Sequence, residues 1–253
     1  MSEILIYITA IVASGLTLIS GFGLGTLMLP VFALFFPLEI AIGMTAIVHV
    51  LNNFFKMGLI FRNVNWKVVL LFGIPGILGS TLGAITLVRL NPNEVWFANE
   101  YVEVRYLAAV IGSLMIFFAF ADLFPGFKSF SFKKRYLLPG GFISGFFGGL
   151  SGHQGALRSM FLIKANLSKV QYIATGVAIA LLVDMIRIPI YWTRYDQSFI
   201  SDNLRVIALS TIFAFLGAFI GKKMIHKITL SSVHLVVSLL MILIGLGLIA
   251  GKL

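Results

Sequence analysis

Gly148-Gly149-Leu150-Ser151-Gly152-His153-Gln154-Gly155 interrupts an apolar run that extends from residue 136 to 165. A helix crosses the hydrocarbon core of a bilayer with roughly 20 apolar residues. A longer run carrying four glycines and three polar residues near its middle therefore predicts a broken helix, not one span. Residues 4 to 36 show the same pattern: apolar for too long to form one ordinary helix, and interrupted by Ser20-Gly21-Phe22-Gly23-Leu24-Gly25. Both segments are read as broken helices.

Six further apolar runs are each long enough for one span: 39–61, 67–88, 105–124, 169–192, 204–221 and 229–250. With 59% hydrophobic and 11% charged residues and a mean hydropathy of +1.03, the composition is that of a helical membrane bundle. No stretch is hydrophilic enough to fold as a separate soluble domain, and no GxxxxGK[ST] loop is present, which excludes a built-in ATPase. The net charge of +10 comes from basic residues in short loops between apolar runs, where they set orientation and meet anionic membrane lipid. Nucleic-acid binding is not expected. The absence of cysteine excludes disulfides and thiol chemistry. The first run follows Met1-Ser2-Glu3, not a basic segment, so it is expected to belong to the mature fold and not to a cleaved signal peptide.

The two halves echo each other. Ser14-Gly15 and Ser20-Gly21 have counterparts in Ser144-Gly145 and Ser151-Gly152, allowing a one-residue slip, and Gly79 and Gly83 have counterparts in Gly217 and Gly221. Charge decides how the broken segments lie. Counted as full crossings they leave the loops without asymmetry. Counted as hairpins that enter and leave by one face, they put eleven basic residues, Arg62 and Lys134 among them, on one side with Asp122 as the single acid. The other side then has five basic and seven acidic residues, including Glu39, Glu100 and Glu103. That split follows the positive-inside rule. The expected architecture is an all-α inverted repeat, 1–125 and 136–253 joined by a basic cytoplasmic linker at 126–135. Each half has one re-entrant hairpin and three crossings, so the halves are inserted in opposite senses. Both termini are expected outside the cytoplasm.

At each break the following half-helix starts with unpaired N–H groups and the positive end of its dipole, and glycine lets a ligand approach the backbone. Two such ends face to face form an oxyanion site. The candidates are Ser20, Gly21, Gly23 and Gly25 from the first break and Ser151, Gly152, His153, Gln154 and Gly155 from the second. Glycines also serve close helix packing, but His153 and Gln154 are costly passengers in a turn that only packs. Arg158 falls in the first turn after the break, where a cation is unfavourable unless an anion compensates it. In the run 39–61, His49, Asn52, Asn53 and Lys56 occupy one helical face, and the corresponding run of the second half carries Asp184, Arg187 and Tyr191. An offset of 131 aligns Asn53 with Asp184 and Lys56 with Arg187. Asp184 and Arg187 are read either as a structural ion pair or as a gating or proton-coupling element, and His49 is a candidate for proton coupling. No HExxH, GxSxG or carboxylate cluster is present, so neither an enzyme nor a metal or other cofactor is expected.

The run from Gly148 to Ser159, followed by Ile173-Ala174-Thr175-Gly176 and then Asp184 with Arg187, resembles the TauE/SafE family of membrane anion exporters. The Ser20–Gly25 break before Pro30 is similar to a first copy of the same pattern, with Phe22 and Leu24 interleaved where the family run is denser in glycine. The resemblance implies a secondary transporter in the cytoplasmic membrane that exports sulfite or a small organosulfonate such as sulfoacetate, with the polar break residues as binding elements. The residues alone leave open an importer of sulfate, thiosulfate or a small carboxylate, and a passive anion channel. Proton or ion coupling and a homodimer are also left open.

Overall fold

The computed structural model describes residues 2–20, 24–124, 131–193, 198–224 and 231–253. It is an all-α membrane protein with ten α-helices among the described residues: α1 Ser2–Ser20, α2 Gly25–Ala33, α3 Leu38–Ile60, α4 Trp66–Arg89, α5 Tyr106–Leu123, α6 Leu137–Ser151, α7 Gly155–Leu162, α8 Lys169–Trp192, α9 Ser198–Met224 and α10 Ser231–Ile249. Five stretches, 38–63, 66–89, 106–123, 169–192 and 201–223, are long and apolar enough to cross a membrane. The sixth expected span, 229–250, corresponds to α10.

Local chemistry sets the helix boundaries. Pro37 precedes α3, where its fixed φ suits a helix start and its missing N–H costs nothing. Asn65 caps α4 by accepting from Val68 N–H at 3.2 Å, and Ser168 and Gln171 form a reciprocal capping box at the start of α8. Helix α6 ends where Gly152 turns left-handed, at φ +80°, and its N–H returns to the Gly148 carbonyl at 3.0 Å. A side chain is disfavoured in that conformation, so the break falls at Ser151-Gly152.

The packing is inside-out relative to a water-soluble protein. Leu70, Ile74, Leu78 and Leu82 form an exposed row along α4, while Gly76, Gly79, Ser80 and Gly83 on its other side are buried. Apolar side chains suit lipid, so small residues are free to draw the helices together. A Cβ added at Gly145 would lie 2.1 Å from the Gly76 carbonyl oxygen, and one at Gly79 would lie 2.0 Å from that of Phe142. Helices α4 and α6 thus touch backbone to backbone. The seam between α1 and α9 has the same construction, with Gly217 against the Ile11 carbonyl and Gly221 against that of Gly15. Helices α5 and α10 meet at Gly112 and Gly245, each facing the other's carbonyl.

The helix contacts come in matched pairs. With the helices of each half ranked in chain order, the first of each half packs on the fourth of the other (α1 on α9, α6 on α4). The third helices pack together (α3 on α8), and so do the fifth (α5 on α10). The chain also enters and leaves the α6–α7 segment side by side. Phe132 N–H donates to the Met160 carbonyl at 3.0 Å, and its ring stacks on Phe161 with centroids 4.5 Å apart.

One element was not anticipated. Between α4 and α5, where the sequence reads as a loop, Val95–Ala98 (β1) and Glu103–Arg105 (β2) form an antiparallel hairpin. Asn99 makes the turn, its Oδ1 accepting from Tyr101 and Val102 N–H at 2.9 Å each. This hairpin, the start of α3 and the residues following α10 enclose a cleft of about 460 Å³ lined by Phe36, Glu39, Arg105, Gly251 and Lys252.

Candidate functional site

The start of α2 meets the end of α6. A Cβ added at Gly25, the first residue of α2, would lie 3.4 Å from the carbonyl oxygen of Gly152 and 3.6 Å from the Thr45 methyl. Gly152 in turn faces the Arg187 guanidinium, whose Nη1 would be 2.8 Å from an added Cβ. Gly25 and Gly152, one residue from each interrupted run, therefore lie against each other. Gly21 and Gly23 lie outside the described residues, and Ser20 is placed only as the last residue of α1. Lys128, Arg194, Asp196, His226 and Lys227 also lie outside them.

The second break is dense in buried polar groups. Ser151, His153, Gln154 and Arg158 are each at most 4% exposed. His153 lies flat on Phe118 of α5, with ring centroids 5.7 Å apart and planes 5° from parallel, and its Nδ1 is 3.2 Å from Ser151 Oγ. Its Nε2 has no hydrogen-bond partner, and neither does Gln154 Oε1. Buried polar atoms are rarely left so unless a ligand or water completes them. The first intrahelical bond of α7 runs from Arg158 N–H to the Gln154 carbonyl at 2.9 Å, so the amides of Gly155, Ala156 and Leu157 have no intrahelical acceptor. The Arg158 side chain runs along α8 beside Gly176, where an added Cβ would lie 3.4 Å from Nε. Glycine at 176 leaves room for that guanidinium, and its neighbour Thr175 accepts from Asn65 N–H at 3.0 Å, tying α8 to the start of α4.

The polar face of α3 is buried throughout but splits between two neighbours. His49 and Asn53 turn to α8. His49 Nδ1–H donates to Asp184 Oδ2 at 2.6 Å, and Asn53 Nδ2 donates to the same oxygen at 3.1 Å. The other oxygen, Oδ1, accepts from Arg187 Nε at 2.9 Å and stands 2.8 Å from Nη2 as an ion pair, without a hydrogen bond from that nitrogen. Arg187 Nη1 also reaches the Gly148 carbonyl at 3.3 Å, and Tyr191 O–H donates to that of Gly149. Asp184 is thereby saturated, and it anchors the last turn of α6 through Arg187. Asn52 and Lys56 turn instead to α1. Lys56 Nζ donates to Thr17 Oγ1 at 2.6 Å. The Asn52 amide is oriented by its partners: Nδ2 donates to Ser14 Oγ at 2.9 Å and the Ala214 carbonyl at 3.3 Å, leaving Oδ1 to accept from Lys56 Nζ at 3.1 Å.

Ser14 and Thr17 are site neighbours that sequence reasoning missed. Hydroxyl residues in membrane helices often bond back to their own turn, as Thr81 and Thr86 do here. Nothing in the pattern separates Thr17 from them. Thr45, buried beside Gly25 with an unpartnered Oγ1, was missed for the same reason.

Chemically, the arrangement gathers buried basic side chains, amide donors and the start of α7 around the left-handed turn at Gly152. The family model described as "Sulfite exporter TauE/SafE" matches residues 6–248, nearly the whole chain, and the chain belongs to that family. No curated protein and no solved structure matches it.

Proposed function

We propose, on the premise that this member of the TauE/SafE family is a transporter, that it exports a small sulfur oxyanion, sulfite or an organosulfonate such as sulfoacetate, across the cytoplasmic membrane by alternating access. The observation that carries the reading is the meeting of Gly25 with Gly152 beside Arg187, next to the unpartnered Nε2 of His153 and Oε1 of Gln154. An oxyanion between the breaks would accept from the free amides at the start of α7 and from Arg158, in a site where low dielectric strengthens each bond. His153 Nε2 serves as a donor when the ring is protonated or carries its hydrogen there. Ser20, Gly21, Gly23 and Gly25 would supply the opposing wall, and His49 with Asp184 would form the element that couples transport to a proton or other ion.

The architecture proposed for this mechanism is an inverted repeat of 1–125 and 136–253 with two re-entrant hairpins and both termini outside the cytoplasm. The matched contacts α1–α9 and α6–α4 support it, as does the side-by-side placement of Phe132 and Phe161. The cleft gives a parity argument. It gathers the start of α3, the β-hairpin before α5 and the end of α10. Hairpins that return to their own face put all three on one side of the membrane, whereas eight full crossings would put the end of α10 opposite the other two. Single cysteines at Lys134 and Glu100 are expected to label from opposite faces; labelling from one face would overturn this topology.

The binding reading is tested by thermal stabilisation of the purified protein across sulfite, sulfoacetate, sulfate, thiosulfate, acetate and chloride, since a ligand that binds only the native state raises its stability. A shift confined to sulfite or sulfoacetate and lost in Arg158→Ala is the expected result. Selective stabilisation by sulfate, thiosulfate, acetate or chloride would move the function to that anion.

A further inference from the structure

The buried polar face of α3 begins one turn before His49. Thr45 lies four residues before His49 and seven before Asn52, on the same side of the helix, and is 3% exposed. The other members of that face are all bonded: His49 and Asn53 to Asp184, Asn52 to Ser14, and Lys56 to Thr17. Thr45 Oγ1 has no hydrogen-bond partner.

Other threonines of the bundle show the bond ordinarily made. Thr9, Thr81, Thr86 and Thr211 each donate to the carbonyl four residues earlier, at 2.8–2.9 Å. That bond belongs to one of the two rotamers open to a helical threonine, and Thr45 does not make it. Its methyl packs instead toward Gly25, 3.6 Å from the position of an added Cβ. Among the described residues outside its chain neighbours and its own helix, the only other atom within 4 Å of that position is the Gly152 carbonyl oxygen. Methyl and hydroxyl share one Cβ, so the hydroxyl stands within a side chain's breadth of the contact between Gly25 and Gly152. This contact sets Thr45 apart from Ser210 and Ser238, whose buried hydroxyls are also unpartnered. His153 Nε2 and Gln154 Oε1, equally unpartnered, belong to the two residues that directly follow Gly152. A buried hydroxyl without a partner costs stability, and it is retained where a ligand completes it.

We propose that Thr45 is a cargo contact: its hydroxyl donates a hydrogen bond to an oxygen of the anion bound beside Gly152, supplying from α3 what His153 and the α7 amides supply from the second half. Anion oxygens only accept, and a bond to a charged oxygen is stronger than one between neutral groups. The inference rests on the reading of this region as the anion site. It places the cargo on the helix that carries His49, one turn away from it.

The test measures Kd for sulfite and for sulfoacetate, together with the unfolding temperature of the anion-free protein, in the purified wild type, Thr45→Val and Thr45→Ser. Valine keeps the shape of threonine and removes the hydroxyl; serine keeps the hydroxyl and removes the methyl. Thr45→Val is expected to raise Kd about tenfold or more. Its anion-free unfolding temperature is expected to hold or rise, because an unpartnered buried hydroxyl is exchanged for a methyl. Thr45→Ser is expected to stay within about threefold of the wild-type Kd. An unchanged Kd in Thr45→Val, or an equal loss of affinity in both variants, would overturn the inference and leave the anion site standing. So would a lower unfolding temperature of anion-free Thr45→Val, which would mean that the hydroxyl is bonded within the protein. No binding of either anion by the wild type would remove the site reading and the inference together.

Discussion

An offset of 131 in the sequence aligns Asn53 and Lys56 with Asp184 and Arg187, and the two pairs behave differently. In the second half a carboxylate ties its own guanidinium to α8, accepts from His49 and Asn53 across the bundle, and through Arg187 holds the Gly148 carbonyl. In the first half an amide stands in place of the acid, and the lysine relies on Thr17 and Asn52. A carboxylate that anchors its neighbours thus stands on one side, and a lysine held by neutral oxygens on the other.

The comparison breaks most readily at Asp184. Asp184→Ala leaves Arg187 and His49 buried without their partner and is expected to destabilise the protein by about 3–5 kcal/mol in detergent unfolding, against about 1 kcal/mol for the aligned Asn53→Ala. Equal losses would mean that the two halves carry their polar residues alike. The glycine seams come next. Gly145→Ala drives a methyl into the Gly76 carbonyl and Gly221→Ala into that of Gly15, with added Cβ distances of 2.1 and 2.5 Å. Each is expected to cost about 1–3 kcal/mol, and a cost at only one of the two positions would show that the seams are not equivalent. The smallest effect belongs to Gly58, exposed on α3 with nothing within 4 Å of an added Cβ. Gly58→Ala is expected to stabilise by up to about 1 kcal/mol through lower backbone entropy in the unfolded chain.

Much of the fold is legible in the residue pattern because a bilayer imposes a length and glycine imposes a break. The apolar run 169–192 is α8 to the residue, and the interruption at Gly152 is the left-handed turn that ends α6. The β-hairpin at 95–105 was illegible because its exposed Trp96 and Phe97 carry no burial pattern, and only Asn99 hints at a turn. Of the site, the polar face of α3 could be read from spacing. Its division between α1 and α8 could not, since periodicity names a face and not the neighbour that meets it. The bond from His49 to Asp184 joins residues 135 apart, a pairing that no local rule reaches. The glycine pairs Gly79–Gly217 and Gly83–Gly221 could be matched by pattern, and the structure adds what each one touches.

The glycine seams also determine which helices travel together. Backbones in direct contact leave no side-chain layer to slide or repack, so α4 with α6 and α1 with α9 each behave as one stiff body. Each such body takes one helix from either half of the sequence. On the alternating-access reading proposed above, rocking the N-terminal half against the C-terminal half would shear both seams, whereas displacing one crossed pair relative to the other, with α3 and α8, where His49, Asn53, Asp184 and Arg187 interlock, between them, would leave both seams intact.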